Sequence, residues 1–166
     1  MRATILVASF LSIGNASAEE WPAADAALQA AKDGKPACES GHPAALKGGV
    51  VTIKSGETIC VELRLNGNSV SPVAIVSEAD ESTTLVLKAW NEAGKPDTFL
   101  TIHNPLNVFL RYQAHMLVPG HTQIEYTSSC PVMAGRFGLE HWPYPIQELR
   151  LANFSVEPES TTIECR

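Results

Sequence analysis

The sequence predicts an all-β fold, a single β-sandwich of about seven or eight strands, with a small β-barrel as the alternative. Three observations carry that expectation. Ile59, Val61, Leu63 and Leu65 alternate with Cys60, Glu62 and Arg64, the period of a strand with one buried face. From Thr98 to Met116, Leu100 and Ile102 alternate with Thr101 and His103, the chain bends at Asn104-Pro105, and Val108, Leu110, Tyr112 and Ala114 alternate with Phe109, Arg111, Gln113 and His115. This second stretch reads as two strands joined by a turn. Finally, clusters of Gly, Pro, Asn and Ser punctuate the chain about every 8–12 residues.

The N-terminus reads as an export signal. Arg2 supplies a short positive region, Ala3 to Ile13 is an apolar run too short to span a bilayer, and Ala16-Ser17-Ala18 has the small-x-small form of a signal-peptidase site. Cleavage is expected after Ala18, leaving 148 of 166 residues. A lipid anchor is disfavoured because no cysteine follows the site directly. No later apolar run approaches ~20 residues, so no transmembrane segment is expected after cleavage. The domain reading is therefore a signal peptide over 1–18, an N-terminal arm over 19–47 and a β-sandwich over 48–166. Within the arm, Pro22 and Gly34 bracket a possible short helix from Ala23 to Lys32.

Each later element follows from its own pattern. Asn66-Gly67-Asn68 marks a turn after the first strong strand. Val70 to Val76 is a strand candidate in which Pro72 argues for an edge position or a strand start. Glu78 to Ser82 is an acidic loop, and Thr83 to Trp90 reads as a strand with Leu85, Leu87 and Ala89 on one face. Pro119-Gly120 interrupts the pattern, Thr122 to Tyr126 resumes it, and Thr127 to Pro145 is the longest irregular segment. In the last strand, Glu148 to Val156, Leu149 and Leu151 share one parity while Phe154 and Val156 take the other. That slip predicts a bulge near Ala152. The Asn104-Pro105-Leu106 turn entering a Leu110/Tyr112 strand resembles a motif of immunoglobulin-like domains, which implies an immunoglobulin-like sandwich and carries no functional residue with it.

Four cysteines, Cys38, Cys60, Cys130 and Cys165, in an apparently exported chain imply two disulfides. The preferred pairing is Cys38 with Cys60 and Cys130 with Cys165, because each would tie a weakly structured segment onto a strand or a neighbouring loop. No pair has the CxxC spacing of a zinc site.

Charge excludes some partners. The net charge of −6 becomes −7 when Arg2 is removed, which leaves no basic stripe for nucleic acid and none for anionic lipid. The chain lacks G-x-S-x-G, S-x-x-K and H-E-x-x-H, so no enzyme is expected. No cofactor is expected either. Two non-catalytic readings remain. One is a binding or structural role in the cell envelope, periplasmic or secreted, toward an envelope protein or a small ligand. For it, Trp142 and Tyr144, rigid aromatics set between prolines, are the candidate contacts. The other is a copper or zinc protein in which His115, Met116, His121 and His141 supply imidazole and thioether ligands. His103 and His115 would share an ion only if their strands cross between sheets. Asn153-Phe154-Ser155 fits a glycosylation acceptor.

Overall fold

A computed structural model describes Cys38, residues 45–157 and residues 163–166. The expected signal peptide and the helix over 23–32 lie outside the described residues. Ten strands run in the order β1 (Leu46–Lys47), β2 (Val50–Lys54), β3 (Thr58–Asn66), β4 (Ser69–Val76), β5 (Thr84–Asn91), β6 (Thr98–His103), β7 (Phe109–Leu117), β8 (Glu125–Thr127), β9 (Phe137–Trp142) and β10 (Glu148–Glu157). The fold is all-β, as expected. The count exceeds seven or eight because β1 and β8 are very short and because β9 arises inside the segment read as irregular.

The strands form one open antiparallel sheet in the order β1-β2-β10-β4-β3-β5-β6-β9, with β7 and β8 branching from β10. It works as two halves. In one, β10 lies between β2 and β7, and β7 carries β8. In the other, β4, β3, β5, β6 and β9 pair successively. The halves join where Ser155 of β10 meets Ser69 of β4. Inward side chains from both halves, including Ile59, Val61, Leu87, Leu100, Leu110 and Leu151, form one buried cluster, so the sheet folds over itself in a sandwich-like arrangement. Among the described residues, β8 and β9 do not pair, which sets the barrel alternative aside.

Strand β10 can serve both halves because it changes phase. Leu149 and Leu151 are buried, the register with β7 shifts between Ala152 and Ser155, and Phe154 is again buried. Asn153 absorbs the extra residue with φ of 52°, a left-handed conformation that Asn tolerates better than most residues. The bulge expected near Ala152 is present.

The stretch Thr98 to Met116 decides between the hairpin and the crossing that its sequence left open. Its two strands form, but they do not pair with each other: β6 pairs with β5 and β9, and β7 pairs with β10 and β8. The connection therefore arches between the two halves. Asn104, fully buried, builds the arch. Its Nδ2 donates to the carbonyls of Val108, Val132 and Met133 at 2.8, 3.0 and 3.1 Å, and its Oδ1 accepts from Leu106 N at 3.0 Å. A short polar side chain is needed there because a buried arch leaves backbone groups that no strand satisfies.

Leu65 also departs from its pattern, since it is 41% exposed. There β3 runs beyond the core toward the turn at Gly67. Both expected disulfides are formed, Cys38–Cys60 and Cys130–Cys165. Cys60 points to the outer face of β3 yet is buried. The second disulfide fixes residues 163–166 beside Ser129, whose main chain exchanges two hydrogen bonds with Arg166.

Candidate functional site

The two outer faces of the sandwich differ in chemistry. Over β7, β8 and β10 the outward residues are mostly polar, Arg111, Gln113, His115, Glu148 and Arg150, with Phe109, Leu117 and Tyr126 among them. Arg111 binds the Glu157 carboxylate and the Glu164 carbonyl there.

Over β5, β6 and β9 the outward positions mix aromatic and aliphatic residues with Lys88, Thr101 and two histidines. Register brings Trp90, Phe99 and His141 into one row across the three strands, and Val86, His103 and Phe137 into another. Within the first row the Trp90 and Phe99 rings stack at 5.3 Å and the Phe99 and His141 rings at 4.7 Å. In the second row, His103 lies 4.5 Å from Phe137. Between them run Lys88, Thr101 and Leu139. Stacking leaves Phe99 only 6% exposed although it faces outward, whereas Phe137 and Leu139 are 44% and 51% exposed. Such cross-strand aromatic pairs stabilise the sheet by roughly 0.2–1 kcal/mol each. That gain does not account for leaving Phe137 and Leu139 in water.

Polar groups sit at the two ends of this face. His141 Nε2 lies 3.1 Å from Asp97 Oδ1. Burial beneath its neighbours lowers the pKa of His103, and the Glu81 carboxylate partly opposes that shift. His103 is thus held toward its neutral form, able to give or accept one hydrogen bond at each nitrogen.

Behind this face, β9 turns Glu140 inward. Its Oε1 accepts from the Tyr112 hydroxyl at 2.8 Å and from Cys130 N at 2.7 Å. Desolvation raises the pKa of Glu140 against the opposing pull of those two hydrogen bonds. Burial, then the Glu140 charge, pushes the Tyr112 phenol well above its ordinary value. The pair ties β9 to β7 and to the Cys130 segment.

The residues singled out from sequence scatter. His115 and Met116 are successive in β7, so Met116 enters the core while His115 faces outward against Tyr126. His121 contacts Glu125 in an exposed turn. His141 lies on the opposite outer face. The proposed copper or zinc set does not converge, and the described residues hold no group of three His, Cys, Asp or Glu able to take a metal ion. The reason is strand parity: adjacent strand residues cannot share one ligand sphere. Trp142 is 5% exposed, with Nε1 donating to Thr127 Oγ1 at 2.9 Å. Tyr144 packs against the core, and its carbonyl accepts from the Thr98 hydroxyl. Trp142 thus plugs the space between the sheet halves, the alternative to its reading as a contact, and Tyr144 is half-buried against the core rather than a fully exposed anchor. The alternation of Phe137, Leu139 and His141 was the available signal for the aromatic face.

Fold and staples together define a disulfide-stapled, all-β protein of sandwich-like build. Comparisons with protein-family models, with curated proteins and with solved structures found no match for this chain.

Proposed function

We propose that this chain is an exported, non-enzymatic binding protein of the cell envelope, and that it binds a small ligand with a flat apolar surface on the outer face of β5, β6 and β9. The observation that carries this reading is the exposure of Phe137 and Leu139 beside a stacked aromatic row of Trp90, Phe99 and His141 on one face of the sandwich. Contiguous exposed apolar surface of this kind marks interaction sites.

Size selects the ligand class. Three strands about 4.8 Å apart and three rows about 6.8 Å apart span about 300 Å². A stable protein–protein contact takes about 800 Å² from each partner. Asp97 with His141 at one end and His103 at the other supply polar groups to fix orientation. The export reading is supported by the signal-like N-terminus and by two disulfides, which persist in oxidising compartments. An immunoglobulin-like build belongs to the same proposal, supported by the arch that carries β6 into β7 in the other half of the sheet.

The test is site-specific photo-crosslinking in the native host. A photoreactive residue at Thr101, central on the aromatic face, should capture a ligand that the same residue at Gln113 on the polar face does not. Equal capture at both sites, or none at Thr101, would refute the reading.

A further inference from the structure

Strand β9 ends its half of the sheet, and among the described residues it has a strand neighbour, β6, on one side only. An unpaired edge presents backbone donors and acceptors to any strand of matching pattern. We infer that β9 pairs antiparallel with β9 of a second copy of this chain, about a twofold axis through Leu139, making a dimer with one continuous outer face.

The register follows from the residues. A twofold perpendicular to the sheet keeps outward residues opposite outward residues, so the axis must fall on a single residue. Centred on Glu140, it would set two carboxylates against each other. Centred on Gly138, it would leave His141 without an opposite residue in β9. Centred on Leu139, it sets Leu139 against Leu139 of the second copy and Phe137 against His141 of the second copy. Gly138, covered by the Val132 side chain of its own copy, then lies opposite Glu140 of the second copy, so the two carboxylates stay apart. Each copy holds a Trp90–Phe99–His141 stack and a His103–Phe137 pair. In this register the stack of one copy runs directly into the pair of the other, so a five-ring row crosses the interface twice. The pattern is complementary to itself, as an isologous contact requires.

Inward charges on edge strands commonly oppose such pairing. Here Glu140 is already engaged by Tyr112 and Cys130 N, and the outward positions of β9 carry no carboxylate. A six-residue edge buries less than the ~800 Å² per partner of stable dimers, so the association is weak and concentration-dependent. The inference does not rest on ligand binding, because capture at Thr101 and self-association are read separately.

Sedimentation equilibrium on the mature protein, up to about 1 mM, should show a reversible monomer–dimer equilibrium. Leu139→Lys, at a half-exposed position, should make the protein monomeric with its thermal midpoint unchanged. Register is tested by single cysteines, since the described residues contain no free thiol. Residues directly opposite in an antiparallel pair lie about 5 Å apart, within disulfide reach. Leu139→Cys should therefore oxidise to a covalent dimer readily, whereas Phe137→Cys, opposite His141, should not. A wild-type chain that stays monomeric throughout overturns the inference. So does a dimer that survives Leu139→Lys, or one in which both cysteines cross-link equally.

Discussion

Replacing Asn104 by Ala should unfold this protein far more readily than its loop position suggests. Four hydrogen bonds end on the Asn104 side chain, but they are not of equal weight. The Val132 carbonyl keeps Leu110 N and the Met133 carbonyl keeps Arg136 N as donors after the change. Leu106 N and the Val108 carbonyl lose the partners that Asn104 gives them, in a place where Asn104 itself is fully buried. An unpaired buried group costs about 1–3 kcal/mol. Two of them predict a loss of about 2–6 kcal/mol, a large share of the ~5–15 kcal/mol typical of a domain. Urea unfolding followed by tryptophan fluorescence, with disulfides intact, measures it directly. Asn104→Asp sharpens the test, because a carboxylate would face three carbonyls and fold only when protonated. Its folded pKa must lie above the unfolded one, so its stability should fall as pH rises through that folded value. A loss under ~1 kcal/mol for Asn104→Ala, with no pH dependence for Asn104→Asp, would refute the account of the arch.

Glu140→Gln should remove a pH dependence. The folded pKa of Glu140 is raised by burial, so its contribution is full at low pH and is lost as pH rises from about 4.5 through the raised value. The Gln variant, which keeps an acceptor for Tyr112 and Cys130 N, should match or exceed wild-type stability at neutral pH, as read from denaturation midpoints across pH. Trp142→Ala should lower stability by about 3–5 kcal/mol. Where the variant remains folded, its crosslinking at Thr101 should be unchanged, since Trp142 faces the core. Converting Cys130 and Cys165 together to Ser opens a loop with a sequence separation of 35. It should lower stability by about 3–4 kcal/mol and release residues 163–166 to rapid proteolysis.

Strands whose apolar residues face the core were legible. The alternation in Ile59–Leu63 and the phase slip between Leu151 and Phe154 each fixed a real feature, because burial on one face imposes the period. The disulfides were legible for a related reason: each joins a strand or its neighbouring loop to a weakly patterned segment. Strand β9 was not legible, since it inverts the usual pattern, with Phe137 and Leu139 outside and Glu140 inside. The same inversion hid the aromatic face and made Trp142 look like a loop residue, although its parity with Glu140 turns it inward. Whether the turn at Asn104 makes a hairpin or an arch between the halves stayed open, because a strand's own sequence states which face is buried and not which strand lies beside it.

The place of β10 has a consequence for the order in which this protein can be assembled. The last strand of the described chain sits at the centre of the sheet, flanked by β2 and β7 and touching β4. A chain delivered from its N-terminus therefore presents β2, β4 and β7 before the strand that joins them exists. Cys38 and Cys60 can meet early, but Cys130 must wait for a partner that follows β10. The half made by β4, β3, β5, β6 and β9 can pair without β10, but β2 and β7 have no strand between them until it arrives, and their open edges are exposed to wrong partners until then.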